Sequence, residues 1–175
     1  DGTEGGTTLV KDIKPGSSSS ASWGIGYSPL NFNETVVFQN NLYFFADDGS
    51  HGLELWKSDG TTSGTTIVKD IQTGSGDGIS IEYYYYSYGP NTNLKVYNNK
   101  LYFIGDTSSH GRELWTSDGT SSGTTRVSDI RAGSADSFPD FFSPSNLLGL
   151  NVVGDKLLLQ ATDGTSGYEP YAYFT

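Results

Sequence analysis

The chain has 175 residues, enough to bury a core without a covalent staple. Its formal charge of −10 and pI near 4.4 would repel a phosphate-rich partner, which argues against nucleic acid as a ligand. It has no cysteine, so a disulfide framework and thiolate chemistry are excluded, and no stretch approaches the length of a membrane span. Only 34% of the residues are hydrophobic, but 14% are aromatic and 23 are glycine, a mixture that favours strands and turns. No window repeats apolar residues at spacings of three and four, so almost no helix is expected. Neither a signal peptide nor an initiating Met precedes Asp1, so the chain reads as a mature or trimmed product.

The predicted elements recur three times in chain order. The run DGTEGGTTLVKDI opens at Asp1, DGTTSGTTIVKDI at Asp59 and DGTSSGTTRVSDI at Asp118. Each opening leads through a variable loop into a hairpin: TVVFQNNLYFFADDG, LKVYNNKLYFIGDT and LNVVGDKLLLQATDG. A short aromatic strand closes each copy: LELWKS, RELWTS and YEPYAYFT. Repeats therefore span 1–58, 59–117 and 118–175, forming one array. Asn40-Asn41, Asn98-Asn99 and Gly154-Asp155 are the expected tight hairpin turns, because Asn and Gly tolerate positive φ.

The link from residue 58 to 65 is short enough to be a hairpin, and this sets the phase. The natural four-stranded meander is VVFQ, LYFF, ELW and then the VKDI strand of the following copy. The fold expected is all-β: three four-stranded antiparallel meander repeats resembling propeller blades. The long loops at 14–32, 72–92 and 131–146 then become crossings between units and gather on one face.

The runs ELWKSDGTTSGT (54–65) and ELWTSDGTSSGT (113–124) resemble the ELWxxDGT repeats of bacterial surface and secreted proteins. The flanking DDGSHGLELW and VKDI fit the same pattern. The resemblance implies β-propeller-like units and a place at the cell surface or outside the cell; it implies little about activity. Two features depart from it. The period is long because of the loops, and the third copy has Pro170-Tyr171 where the others have Leu-Trp.

With this phase the chain is out of step with its own sheets. Residues 7–13 form a fourth strand without its first three, and residues 151–175 form three strands without a fourth. The opening of one molecule could complete the last sheet of another by strand addition. Three blades are fewer than the about four to eight of an ordinary propeller. Two chains could close a ring, or chains could join head to tail as a fibre; a fragment of a longer array has the same pattern. Leu9, Val10, Ile13, Pro170 and Tyr171 are the expected contact residues, together with the aromatic loop Tyr83, Tyr84, Tyr85 and Tyr86.

Trp23, Tyr27, Tyr88, Phe141 and Phe142 lie in equivalent loops and could stack on sugar rings, contact a neighbouring subunit or fold back to cover their own sheet. Trp56, Trp115 and Tyr171 share one repeat position and are expected in core or inter-unit layers. Glu54, Glu113 and Glu169 recur two residues before that aromatic; they are expected to accept bonds from turn N–H groups. Asp12, Asp70 and Asp129 end the VKDI-type strands and are expected to cap turns. Acidic turns such as Asp47-Asp48-Gly49 lack the spaced oxygen ligands of an EF-hand, so structural calcium is the most that a metal reading supports. His51 and His110 are repeat-equivalent, which suits a turn better than a catalytic site. Asn33 opens a sequon, a candidate glycan acceptor in a secreted protein.

No nucleophile elbow, phosphate loop or zinc spacing is present, so an enzyme is not expected and no cofactor is implied. The expectation is an extracellular structural protein, a self-assembling filament or closed oligomer whose partner is itself. The alternative is a carbohydrate-binding, lectin-like propeller module. A glycan-active enzyme fragment comes third.

Overall fold

The structure, a computed structural model, describes residues 3–20, 35–79, 94–138 and 149–174. Among these residues the chain is all-β, with three antiparallel sheets and no helix. The first sheet is the meander β1 (Val36–Phe38), β2 (Asn41–Asp47), β3 (Leu53–Ser58) and β4 (Thr66–Lys69). The second is β5 (Lys95–Tyr97), β6 (Lys100–Thr107), β7 (Gly111–Ser117) and β8 (Thr125–Arg126). The third has three strands: β9 (Asn151–Val153), β10 (Lys156–Ala161) and β11 (Glu169–Tyr173). The expected phase therefore holds for the first two sheets, each completed by the opening run of the next copy. The third sheet falls one strand short of the four-stranded unit, and residues 7–13 form no strand at all.

Turn chemistry explains the hairpins. Asn98 and Asn99 both adopt positive φ, at 42° and 54°, as a tight hairpin between Tyr97 and Lys100 requires. Gly154 takes φ 61° between Val153 and Lys156. In the first sheet the turn is Gln39-Asn40 rather than Asn40-Asn41, because Asn41 already pairs with Phe38. The Asn41 side chain instead reaches back to the Gln39 carbonyl at 2.9 Å. The DGT links are tied by their own side chains. Asp59 Oδ1 accepts the Thr61 N–H at 2.9 Å, and Asp118 Oδ1 accepts the Thr120 N–H at 2.9 Å. Hydroxyl pairs Ser58–Thr65 and Ser117–Thr124, each at 2.7 Å, close the same links.

Alternating strands present apolar residues on both faces, and the sheets stack. One core layer joins Phe38, Tyr43, Phe45, Leu53 and Leu55 of the first sheet to Leu101, Phe103 and Trp115 of the second. The next joins Tyr97, Tyr102, Ile104 and Leu114 of the second sheet to Leu157, Leu159 and Ala161 of the third. Strand β5 touches both β1 and β9, so the first strands of the three sheets lie side by side. Three antiparallel sheets stacked on apolar layers are thus observed among the described residues; a closed propeller is not.

Candidate assembly interface

Each VKDI-type run makes two sets of contacts. The first completes its own sheet. Strand β4 pairs with β3, and the Glu54 carboxylate then accepts the N–H groups of Ile71 at 3.0 Å and Gln72 at 3.2 Å. In the second sheet, Glu113 accepts Ile130 at 3.1 Å and Arg131 at 3.5 Å, and also takes the Ser137 hydroxyl. Asp77 and Asp136 extend the ladder with side-chain oxygens, accepting the Leu53 N–H at 2.7 Å and the Arg112 N–H at 2.8 Å. Both glutamates are fully buried. Burial pushes Glu54 up to about 8 against the pull of its N–H donors, and raises Glu113 in the same way. Gly78 leaves room for the Glu54 carboxylate, since a Cβ there would come within 2.4 Å of it.

The second set of contacts packs the run onto the following sheet. Lys69 donates to the Thr124 carbonyl at 2.8 Å and lies 6.0 Å over the Trp115 ring. Farther along, the Gly78 carbonyl accepts the Asp106 N–H at 2.8 Å, and the Ser137 carbonyl accepts the Thr162 N–H at 2.8 Å.

The opening segment makes only this second set. Lys11 donates to the Thr65 carbonyl at 2.7 Å and lies 5.8 Å over Trp56. The Ser20 carbonyl accepts the Asp47 N–H at 2.9 Å, and Lys14 pairs with the Asp47 carboxylate. Its turn is also in place: Gly6 donates to Thr3 Oγ1 at 3.1 Å, as Gly64 does to Thr61 at 2.9 Å and Gly123 to Thr120 at 3.0 Å. The segment therefore sits where the last strand of a preceding unit would sit, without that unit. Leu9 is 80% exposed and Val10 is 39% exposed, while Ile13 is half-buried. Among the described residues, the N–H groups of Ile13 and Lys14 donate no hydrogen bond, although their counterparts at 71, 72, 130 and 131 all do.

The third sheet carries the matching gap. Glu169 stands where Glu54 and Glu113 stand, but it is exposed and its carboxylate accepts no bond among the described residues. Tyr168 is exposed where Leu53 and Arg112 are buried. Residues two apart on a strand turn their backbone groups to the same edge. Arg112 and Leu114 face the fourth strand, since their carbonyls accept Ser137 at 3.1 Å and Val127 at 2.8 Å. Pro170 occupies the place of Leu114, so its missing N–H faces the open edge and costs β10 nothing. The Pro170 carbonyl, the group matching the Val127 acceptor, remains available.

Trp115 is buried between the first two sheets, as expected; Trp56 is buried with Lys11 of the opening segment over its ring, and Tyr171 packs partly buried on the second layer. His51 and His110 both lie in turns, His51 Nδ1 at 2.8 Å from Asp48 Oδ2. Asp70 caps the Gly74 N–H at 3.2 Å, whereas Asp129 pairs with Arg126 at 3.3 Å. Trp23, Tyr27, Asn33, Tyr83, Tyr84, Tyr85, Tyr86, Tyr88, Phe141 and Phe142 lie outside the described residues. Sequence reasoning missed the lysine–tryptophan pairs, though a signal existed. The third copy loses both partners together, with Ser128 in place of the lysine and Tyr171 in place of the tryptophan.

Comparison with family models, with curated proteins and with solved structures finds no match.

Proposed function

We propose that this chain is an extracellular structural protein that assembles with copies of itself by strand complementation. Residues 7–13 of one copy form the fourth strand on β11 of another. One observation carries the reading: an unpaired segment and an unpaired edge are the two halves of a contact the chain makes twice internally. The stack ends support it as well. Leu42 is 40% exposed, whereas its counterparts Leu101 and Leu157 are fully buried beneath a preceding sheet. The likeness of residues 54–65 and 113–124 to repeats of bacterial surface and secreted proteins supports a place outside the cell.

Apolar burial alone does not hold such a joint. Covering what remains exposed of Leu9 and Val10 yields about 2–4 kcal/mol, against an association cost of roughly 4–15 kcal/mol. Backbone pairing along β11 must supply the rest. Sedimentation and negative-stain imaging of the chain over a range of concentrations test the reading. Multimers that grow with concentration are expected, and a truncation lacking residues 1–10 should remain monomeric. That truncation keeps Lys11 on Trp56 and Ser20 on Asp47. A chain that stays monomeric, or a truncation that assembles unchanged, would contradict the proposal.

A further inference from the structure

The joint needs a fixed register as well as an edge, because a one-residue slip turns every side chain to the wrong face. Within the chain, that register is fixed where a buried glutamate receives the two N–H groups that follow the fourth strand. The acceptor always lies on the third strand of the sheet, directly before the Leu-Trp pair, and the donors are always the Ile of the VKDI-type run and the next residue. The remaining acceptor and the remaining donor pair are both unused: Glu169 on β11, and Ile13 with Lys14 in the opening segment.

We propose that Glu169 is the anchoring carboxylate of the assembly, receiving the backbone N–H groups of Ile13 and Lys14 of a second copy. This rests on the strand-complementation reading. The geometry leaves the donors available. The Lys14 side chain is engaged with Asp47 of its own copy, while its backbone N–H donates no hydrogen bond among the described residues. Ser20 sits at the position of Ser137, whose hydroxyl is the third donor to Glu113, so the same copy carries a further donor for the anchor. A side chain with two oxygens can accept both N–H groups at once, as Glu54 and Glu113 do, and this fixes the incoming strand at one register. The anchor also fits Pro170. The proline removes an edge donor, while the glutamate beside it and the proline carbonyl offer only acceptors, so an incoming strand that brings N–H groups is selected.

The test compares Glu169→Ala, Glu169→Gln and the truncation lacking residues 1–10 by sedimentation equilibrium and thermal unfolding. Glu169→Ala should raise the concentration for half-assembly at least tenfold. Glu169→Gln, which keeps one acceptor oxygen, should fall between it and the unaltered chain. Monomer unfolding should be unchanged in both, because Glu169 is exposed. If the truncation abolishes assembly while Glu169→Ala assembles normally, the anchor is wrong and strand complementation survives. If neither variant affects assembly, or the unaltered chain does not assemble, both ideas fail. A drop in monomer stability on Glu169→Ala would mean that the carboxylate serves its own sheet, which also overturns the anchor.

Discussion

The second and third sheets are copies of one design that end differently. In the second, Glu113 and Arg112 are buried under the returning chain, and Leu114 is sealed between layers. In the third, the corresponding Glu169, Tyr168 and Pro170 are exposed, and Gln160 takes the place held by Ile104. The residues that differ most are those that a fourth strand and its trailing loop would cover. The residues facing the second sheet do not differ: Leu157, Leu159 and Ala161 are as buried as any core position. A sheet of this type is therefore held by its neighbour on one face and by the following run on its edge, and among the described residues the second support is absent from the third sheet.

The largest test of that contrast is a core truncation. Phe103→Ala, fully buried between the first two sheets, should cost about 3–5 kcal/mol in urea unfolding. Tyr171→Ala, half-buried in the unsupported sheet, should cost clearly less. Equal costs would show that the third sheet is as well supported as the second.

A sharper contrast comes from the glutamates. Glu113→Ala strands the N–H groups of Ile130 and Arg131 and the Ser137 hydroxyl, and should destabilise the fold by about 2–4 kcal/mol. The equivalent change at Glu169 should leave the monomer's melting temperature where it was.

Acidity probes the same site in the first sheet. Glu54, folded, holds its proton up to about 8, against an ordinary value of 4.5, because burial disfavours its charge. Between those values the folded state binds more protons than the unfolded one, so stability should fall as pH rises from about 4.5 to about 8, then level off. Glu54→Gln should reduce the slope, leaving the part that Glu113 contributes. A profile already flat in the unaltered chain would show that the carboxylate is charged when buried. Below that window the trend reverses, since hydrogen bonds from Thr61 and Thr120 hold Asp59 and Asp118 low and their contribution is lost on protonation.

The smallest effect is at the joints between units. Lys69→Ala should cost about 0.5–1 kcal/mol through loss of its contact with Trp115. Ser128→Ala, at the joint that lacks both partners, should be nearly neutral.

Much of this was legible in the sequence because the three copies calibrate one another. The DGT links, paired Asn turns and alternating aromatics fixed the strand order and the phase, and the missing fourth strand followed by subtraction. The hairpin at Gln39-Asn40 was misplaced by one residue, since two adjacent Asn residues offer two turns of similar cost and only the pairing of Phe38 with Asn41 chooses between them. The role of Glu54 and Glu113 was visible as a recurrence, but their donors lie 17 and 18 positions away, beyond any local pattern. Lys11 and Lys69 showed no local pattern because the tryptophans they cover, Trp56 and Trp115, lie far along the chain.

The most direct measurement is a cross-link at the proposed joint. Lys57 faces Thr66 and Thr116 faces Thr125 across the third and fourth strands, which places Thr8 of one copy opposite Ala172 of another. The chain has no cysteine of its own, so Thr8→Cys with Ala172→Cys gives a clean disulfide reporter. Under mild oxidation a ladder of covalent dimers and higher species is expected, lost when either cysteine is moved by one residue. Only monomers, whether cross-linked internally or not at all, would contradict the account.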